Sequence, residues 1–151
     1  IFEFRSHCLI GAEKRYTLHK DIDKTLLSYA QFLKNISSYA HFLLLRGHIF
    51  AYATARITNQ SINAEFEFID SFFSEIGLKI ILLRIDRETF YSRLEEREKA
   101  GRKVKSWDKT WGNLEALQNA YEYYIQKSCV ESQIIDTSSL KVNELVQVIN
   151  I

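Results

Sequence analysis

The stretch LKIILLRI, residues 78–85, constrains the fold of this chain more than any other. Its apolar residues run on continuously instead of alternating with polar ones. A strand with one face in water alternates, so a continuous run fits a strand covered on both faces, as in a parallel sheet.

The flanking patterns agree with that reading. IFEF (1–4), HFLLL (41–45) and SQIID (132–136) read as three more short strands. CLIGAEKRYTLHKD is polar, contains Gly11 and reads as loop. From Asp21, a residue suited to cap a helix, Ile22, Leu26, Leu27, Ala30 and Leu33 keep the helical period. Helices are also expected after Gly47 over 48–57, and over Glu65 to Ile76 with Phe66, Ile69, Phe72 and Phe73 on one side. Gly77 is placed to stop the second of these. Asp86 caps a helix carrying Phe90, Tyr91 and Leu94. EKAGRKVKS (98–106) is a charged connecting segment, and Trp107, Trp111, Leu114, Leu117, Tyr121 and Tyr124 mark a long helix from about Trp107 to Lys127. A closing helix carries Leu145, Val148 and Ile149. Strands alternating with helices predict an α/β fold: a parallel sheet in a three-layer arrangement, helices on both faces. Ligands of such sheets bind beyond the carboxyl ends of the strands. Arg5, Arg46, Arg84, Asp86 and Asp136 lie at such ends.

The chain's 151 residues suit a single domain with a real core. A net charge of +1 selects neither nucleic acid nor an anionic membrane surface as partner. The apolar runs are too short to span a bilayer. Cys8 and Cys129 lack metal-ligand spacing, so they read as reduced thiols of a cytoplasmic protein. The chain has neither methionine nor proline and opens on Ile1, which fits a piece of a longer protein.

An arginine ending an apolar strand, as Arg46 does, is costly unless an anion meets it. The surroundings of Arg46 suggest which anion. FEFRSHCLIG resembles the segment after the second strand of thymidylate kinases. FLLLRGHIFAYATAR is similar to that family's strand ending in Asp-Arg, followed by a small residue and an aromatic helix. IILLRIDRETFYSRLEERE resembles the strand before the mobile lid, with its arginine pairs. IIDTSSLKVNELVQVI is similar to the last strand and the loop near the adenine. The resemblance covers essentially the whole chain in the right order. It implies a nucleotide kinase that moves the γ-phosphoryl group of ATP, with Mg2+, to a nucleoside monophosphate or nucleoside. A lid would lie at about 93–106, and a homodimer stays open.

Two departures stand against it. The phosphate loop G-x-x-x-x-G-K-[ST] is absent: the glycines, at 11, 47, 77, 101 and 112, never form it. The family's Asp before the arginine is Leu45 here. The second favours a catalytically degenerate relative with a regulatory or nucleotide-binding role. The family's sheet order is 2-3-1-4-5, and this chain offers strands 2, 3, 4 and 5. An N-terminal strand–loop–helix beyond these residues is therefore expected to complete the sheet.

The resemblance assigns Arg46, Arg93 and Arg97 to the transferring phosphoryl group, as fixed cations. It assigns Arg5 and His7, with Phe50 and Arg56, to the acceptor, and Asp136, Thr137 and Ser138 to the adenine side of the ATP site. It designates no metal ligand. Each residue has a plainer reading. Arg46 can pair with a neighbouring carboxylate, and Arg5 and His7 can lie in a solvated loop. Arg93 and Arg97 interleave with Glu95, Glu96 and Glu98, as on a solvated, ion-paired helix. Phe32, Phe50 and Tyr52 can be core, Arg56 surface, and Ser138 or Ser139 a cap for the last helix.

Overall fold

A computed structural model describes residues 2–5, 22–37, 42–45, 47–60, 62, 65–103 and 109–149. His7 and Arg46 lie outside the described residues. The element order is β1 (Phe2–Arg5), α1 (Ile22–Ile36), β2 (Phe42–Leu45), α2 (His48–Ile57), α3 (Phe66–Glu75), β3 (Lys79–Arg84), α4 (Arg87–Lys99), α5 (Trp111–Lys127), β4 (Glu131–Asp136) and α6 (Val142–Ile149). The chain forms two units. One comprises residues 1–79 and 120–131, the other 80–119 and 132–151.

In the first unit β1 and β2 pair in parallel, Phe2 opposite Phe42 and Arg5 opposite Leu45. Both chains therefore leave the pair at the same end. The helices pack through the faces their periodicity marked. Ala30 and Leu33 of α1, Ile49, Tyr52 and Ala53 of α2, and Phe66, Ile69 and Phe73 of α3 are buried. Ala120, Ile125 and Val130 join them. Burying one such large side chain stabilises by about 1.5–3 kcal/mol.

Helix ends in this unit repeat one device. After α3, Gly77 takes φ +69°. Its N–H bonds the Ser74 carbonyl at 3.0 Å, and the Leu78 N–H bonds the Phe73 carbonyl at 3.2 Å. That pair of bonds satisfies carbonyls the helix leaves open and requires a left-handed residue, for which glycine carries no Cβ penalty. Asn59, at φ 52°, does the same for α2: its own N–H reaches Arg56 and the Gln60 N–H reaches the Ala55 carbonyl at 2.8 Å.

In the second unit β3 and β4 pair. At their far end the Thr137 N–H, just past β4, bonds the carbonyl of Arg84 at 2.8 Å. At their near end Lys79 meets Glu131 at 2.8 Å. Start meets start and end meets end, so these strands also run parallel. Leu82 and Ile135 are buried, whereas Ile81, Leu83 and Ile134 on the alternate positions are exposed. The continuous apolar run of β3 thus has one covered face, not the two its pattern predicts. Sequence pattern reports how apolar each face is, and a cover must come from another element.

Two further details differ from expectation. The helix anticipated from Trp107 begins, among the described residues, at Trp111. Neither Ser138 nor Ser139 caps α6. The Glu144 carboxylate folds back to accept the Lys141 N–H at 2.7 Å, while the Ser138 hydroxyl accepts from the Asp86 N–H at 2.8 Å. A glutamate three residues past the cap can satisfy that orphan donor, which frees the serine for another strand end.

Candidate functional site

The carboxyl end of β3 and β4 gathers the densest polar constellation of the second unit. It forms because both strands stop there and their last groups need partners. Asp86 ends the β3 segment and caps α4, its Oδ1 accepting the Thr89 N–H at 2.7 Å. That backbone bond, foremost, holds the Asp86 carboxyl below the usual carboxylate range. Asp136 ends β4 and accepts the Ser138 N–H at 2.8 Å. Bonding from the Ser138 side chain and then its N–H lowers its pKa too. Thr137 is buried and sends its hydroxyl, like its N–H, to the Arg84 carbonyl, at 2.7 Å.

Arg93 closes this end. One turn and a half into α4, its guanidinium donates to the Thr137 carbonyl at 2.5 Å, with longer contacts to the Thr137 hydroxyl and the Leu140 carbonyl. Arg93 pairs with no carboxylate among the described residues; its bonds run to carbonyl and hydroxyl oxygens. The structure thus brings Arg93 together with Asp136, Thr137 and Ser138. Arg97 is exposed and forms no ion pair with a described residue, while its neighbours pair as Glu95–Lys99 and Glu98–Lys109. Behind the loop, the buried Gln118 of α5 reads the Ile85 backbone with both ends of its amide, at 2.9 and 3.3 Å.

In the first unit, Arg5 lies opposite Leu45 at the carboxyl end of the β1–β2 pair. Phe50 is half-buried, with its ring centroid 6.3 Å from that of Tyr121. Arg56 sits in the last turn of α2, about 12 Å along the axis from His48 at 1.5 Å per residue. The guanidinium carbon of Arg56 stands 3.9 Å above the Tyr123 ring.

Sequence reasoning missed the most buried polar cluster. His48 and Asp70 are each 1% exposed, and the His48 Nε2 lies 2.6 Å from the Asp70 Oδ1. The Ser128 hydroxyl donates to the same oxygen at 2.8 Å, and the Cys129 N–H to Oδ2 at 2.7 Å. Burial pushes the Asp70 pKa up, but the bonds from His48, Ser128 and Cys129 outweigh it and leave it lowered. An ionised carboxylate only accepts, so the imidazole proton sits on Nε2. The His48 Nδ1 then has no hydrogen-bond partner among the described residues. Phe73 stacks on the ring at 4.3 Å. A nucleophilic relay needs His between Ser and Asp, in reach of a substrate. Here Ser128 and His48 both bond Asp70, and His48 and Asp70 are buried, so the order of contacts differs from such a relay. The spacing held a signal: Asp70 falls on the buried stripe of Phe66, Ile69 and Phe73.

Scans against family models, curated proteins and solved structures find no match to this chain.

At the loop after β4 the Thr137 and Ser138 hydroxyls and the Arg93 guanidinium are bonded within the unit, and the exposed groups nearby are the Asp136 carboxylate and Ser139. For the metal and the phosphates of magnesium-ATP no ligand set is identified: no group of three or more His, Cys, Asp or Glu among the described residues is arranged to hold a metal. The 151 residues also contain no phosphate loop.

Proposed function

We propose that the protein is a nucleotide-binding phosphotransferase of the thymidylate-kinase-like kind, acting on a nucleoside monophosphate or nucleoside. The observation that carries this is Arg93 clamped onto Thr137 at the carboxyl end of two parallel strands. Parallel α/β sheets bind ligands at that end, and the resemblance puts the adenine there. The pairings β1–β2 and β3–β4 support the reading as well. They are the neighbours that an order of 2-3-1-4-5 requires once its central strand is set aside.

In this proposal the loop from Asp136 to Ser138 receives the base, and Arg93 holds the loop in register. Arg46 and Arg97 supply positive charge to the phosphoryl group, and Arg5 and His7 face the acceptor. Phe50 and Arg56 were grouped with the acceptor on the resemblance. Phe50 packs near Tyr121, and Arg56 lies at the far end of α2 from β2, so neither carries weight here. No magnesium or phosphate ligand is identified among the described residues, so no residue is assigned to hold the metal.

Leu45 favours a second reading, a relative that binds nucleotide without transferring phosphate. Calorimetry and an ADP-release assay on the native full-length protein, with ATP, magnesium and thymidylate, separate the two. Binding with turnover supports the kinase, and binding without turnover supports the second reading. No binding ends both. In an active protein, Arg46→Ala should lower kcat by about 10², the usual scale for a preorganised charge donor. A loss under about threefold would remove Arg46 from the site.

A further inference from the structure

The ends of α2 and α5 enclose a cavity of about 320 Å³ in the first unit, lined in part by Tyr52, Phe66, Tyr123, Tyr124, Arg56 and Lys127. Its size is at the small end of ligand pockets. Tyr52 and Phe66 are buried and give it an apolar floor, with their rings edge to face at 5.2 Å. Tyr124 completes the wall, 4.9 Å from Phe66.

Two cations meet above this floor. The Arg56 guanidinium carbon lies 3.9 Å, and the Lys127 ammonium 4.7 Å, from the centroid of the same Tyr123 ring. Each ends its helix, where a cation is favoured by the helix dipole. That explains one cation per helix, but not their convergence on one ring. Neither forms an ion pair with a described carboxylate. Glu67 lines the cavity and acts on Lys127 only through the longer-range field. Two like charges against one ring are answered by its π electrons only in part. Bonding from Lys127, and then from Arg56, lowers the pKa of the Tyr123 hydroxyl, as a locally positive field should.

We propose that this cavity binds a small planar aromatic oxyanion. Its ring lies against Tyr52, Phe66 and Tyr124, and its carboxylate or phosphate lies between Arg56 and Lys127. Arginine favours such groups because its fork matches two oxygens at once. Gln60, at the exposed lip, is placed to donate a further bond. All its lining residues belong to the first unit, and the proposal does not rest on the kinase reading.

Saturation-transfer NMR and calorimetry on the native protein test this, with benzoate and phenyl phosphate as probes. Cyclohexanecarboxylate and inorganic phosphate are the controls. Both aromatic probes should bind, and more tightly than the controls. Losing charged hydrogen bonds in the Arg56→Gln, Lys127→Gln double variant should weaken them by about tenfold or more. Gln60→Trp fills the mouth without touching the buried floor and should abolish binding with the melting temperature unchanged. It decides the matter if the double variant fails to fold. Absence of transfer to either probe, or equal affinity in wild type and both variants, overturns the proposal. Inorganic phosphate binding as tightly as phenyl phosphate overturns the aromatic assignment.

Discussion

The two units hold themselves together differently. Among the described residues, every buried apolar residue except Leu82 and Ile135 belongs to the first unit, which also buries the His48–Asp70 pair. Among its described residues the second unit buries little, and Ile81, Leu83 and Ile134 are exposed. It is tied instead by polar bonds at its strand ends: Thr137 and Ser138 to β3 and Asp86, Arg93 to Thr137, and Gln118 to Ile85. The contrast teaches where chemistry and stability reside. Burial is non-directional and sums over many side chains. Hydrogen bonds at strand ends contribute about 0.5–1.5 kcal/mol each but fix direction, which recognition needs.

The sharpest break of this contrast is Asp70→Ala. It leaves His48, the Ser128 hydroxyl and the Cys129 N–H without their shared acceptor, so it should cost several kcal/mol, at about 1–3 kcal/mol for each buried donor left unsatisfied. Urea denaturation should show that loss in the first unit's transition. A cost near that of an ordinary surface substitution would mean the cluster is not the anchor.

Gln118→Ala asks the same of the second unit. It strands the N–H and carbonyl of Ile85, each worth about 1–3 kcal/mol if left unpaired and buried. Amide exchange at Ile85 should quicken while exchange in α3 stays unchanged. Equal quickening in both would dissolve the distinction between the units.

Acid should sharpen the contrast. The pKa of Asp70 is lowered in the folded state, so the unfolded chain binds its proton first as pH falls. Its contribution is complete above the ordinary aspartate value of about 3.9 and is lost as pH drops through the lower folded value. The urea midpoint should therefore fall between pH 5 and pH 2.5 more steeply in wild type than in Asp70→Asn, which has nothing to titrate there. Parallel curves would contradict this.

The smallest effect is at a helix end. A Cβ at Gly77 would meet nothing within 4 Å, so only the φ of +69° opposes Gly77→Ala. The left-handed conformation costs about 1–2 kcal/mol in a residue with a Cβ, and the melting temperature should fall accordingly. Asn59→Gly, at the matching position after α2, should be neutral or slightly stabilising.

Among the described residues, much of this was legible in the chain itself. Helical spacing marked the buried faces of α1 and α3, and Gly77 and Asp86 marked where α3 ends and α4 begins. The apolar runs of β2 and β3 read as strands. These are local signals, because propensity, periodicity and caps depend on residues a few positions apart. Other features depended on tertiary structure. Asp70 looked like one charge in an apolar helix until His48, Ser128 and Cys129 came from distant segments to surround it. No local signal marked Gln118, and Arg93 stood between a phosphoryl contact and a solvated helix face, until the strand ends met both. Arg56 was expected at the acceptor or on the surface, and packing sets it against the Tyr123 ring. Which face is buried follows from the order of residues along one element. Which polar groups meet there follows from how separate elements cross, because a hydrogen bond needs its partners within about 3 Å.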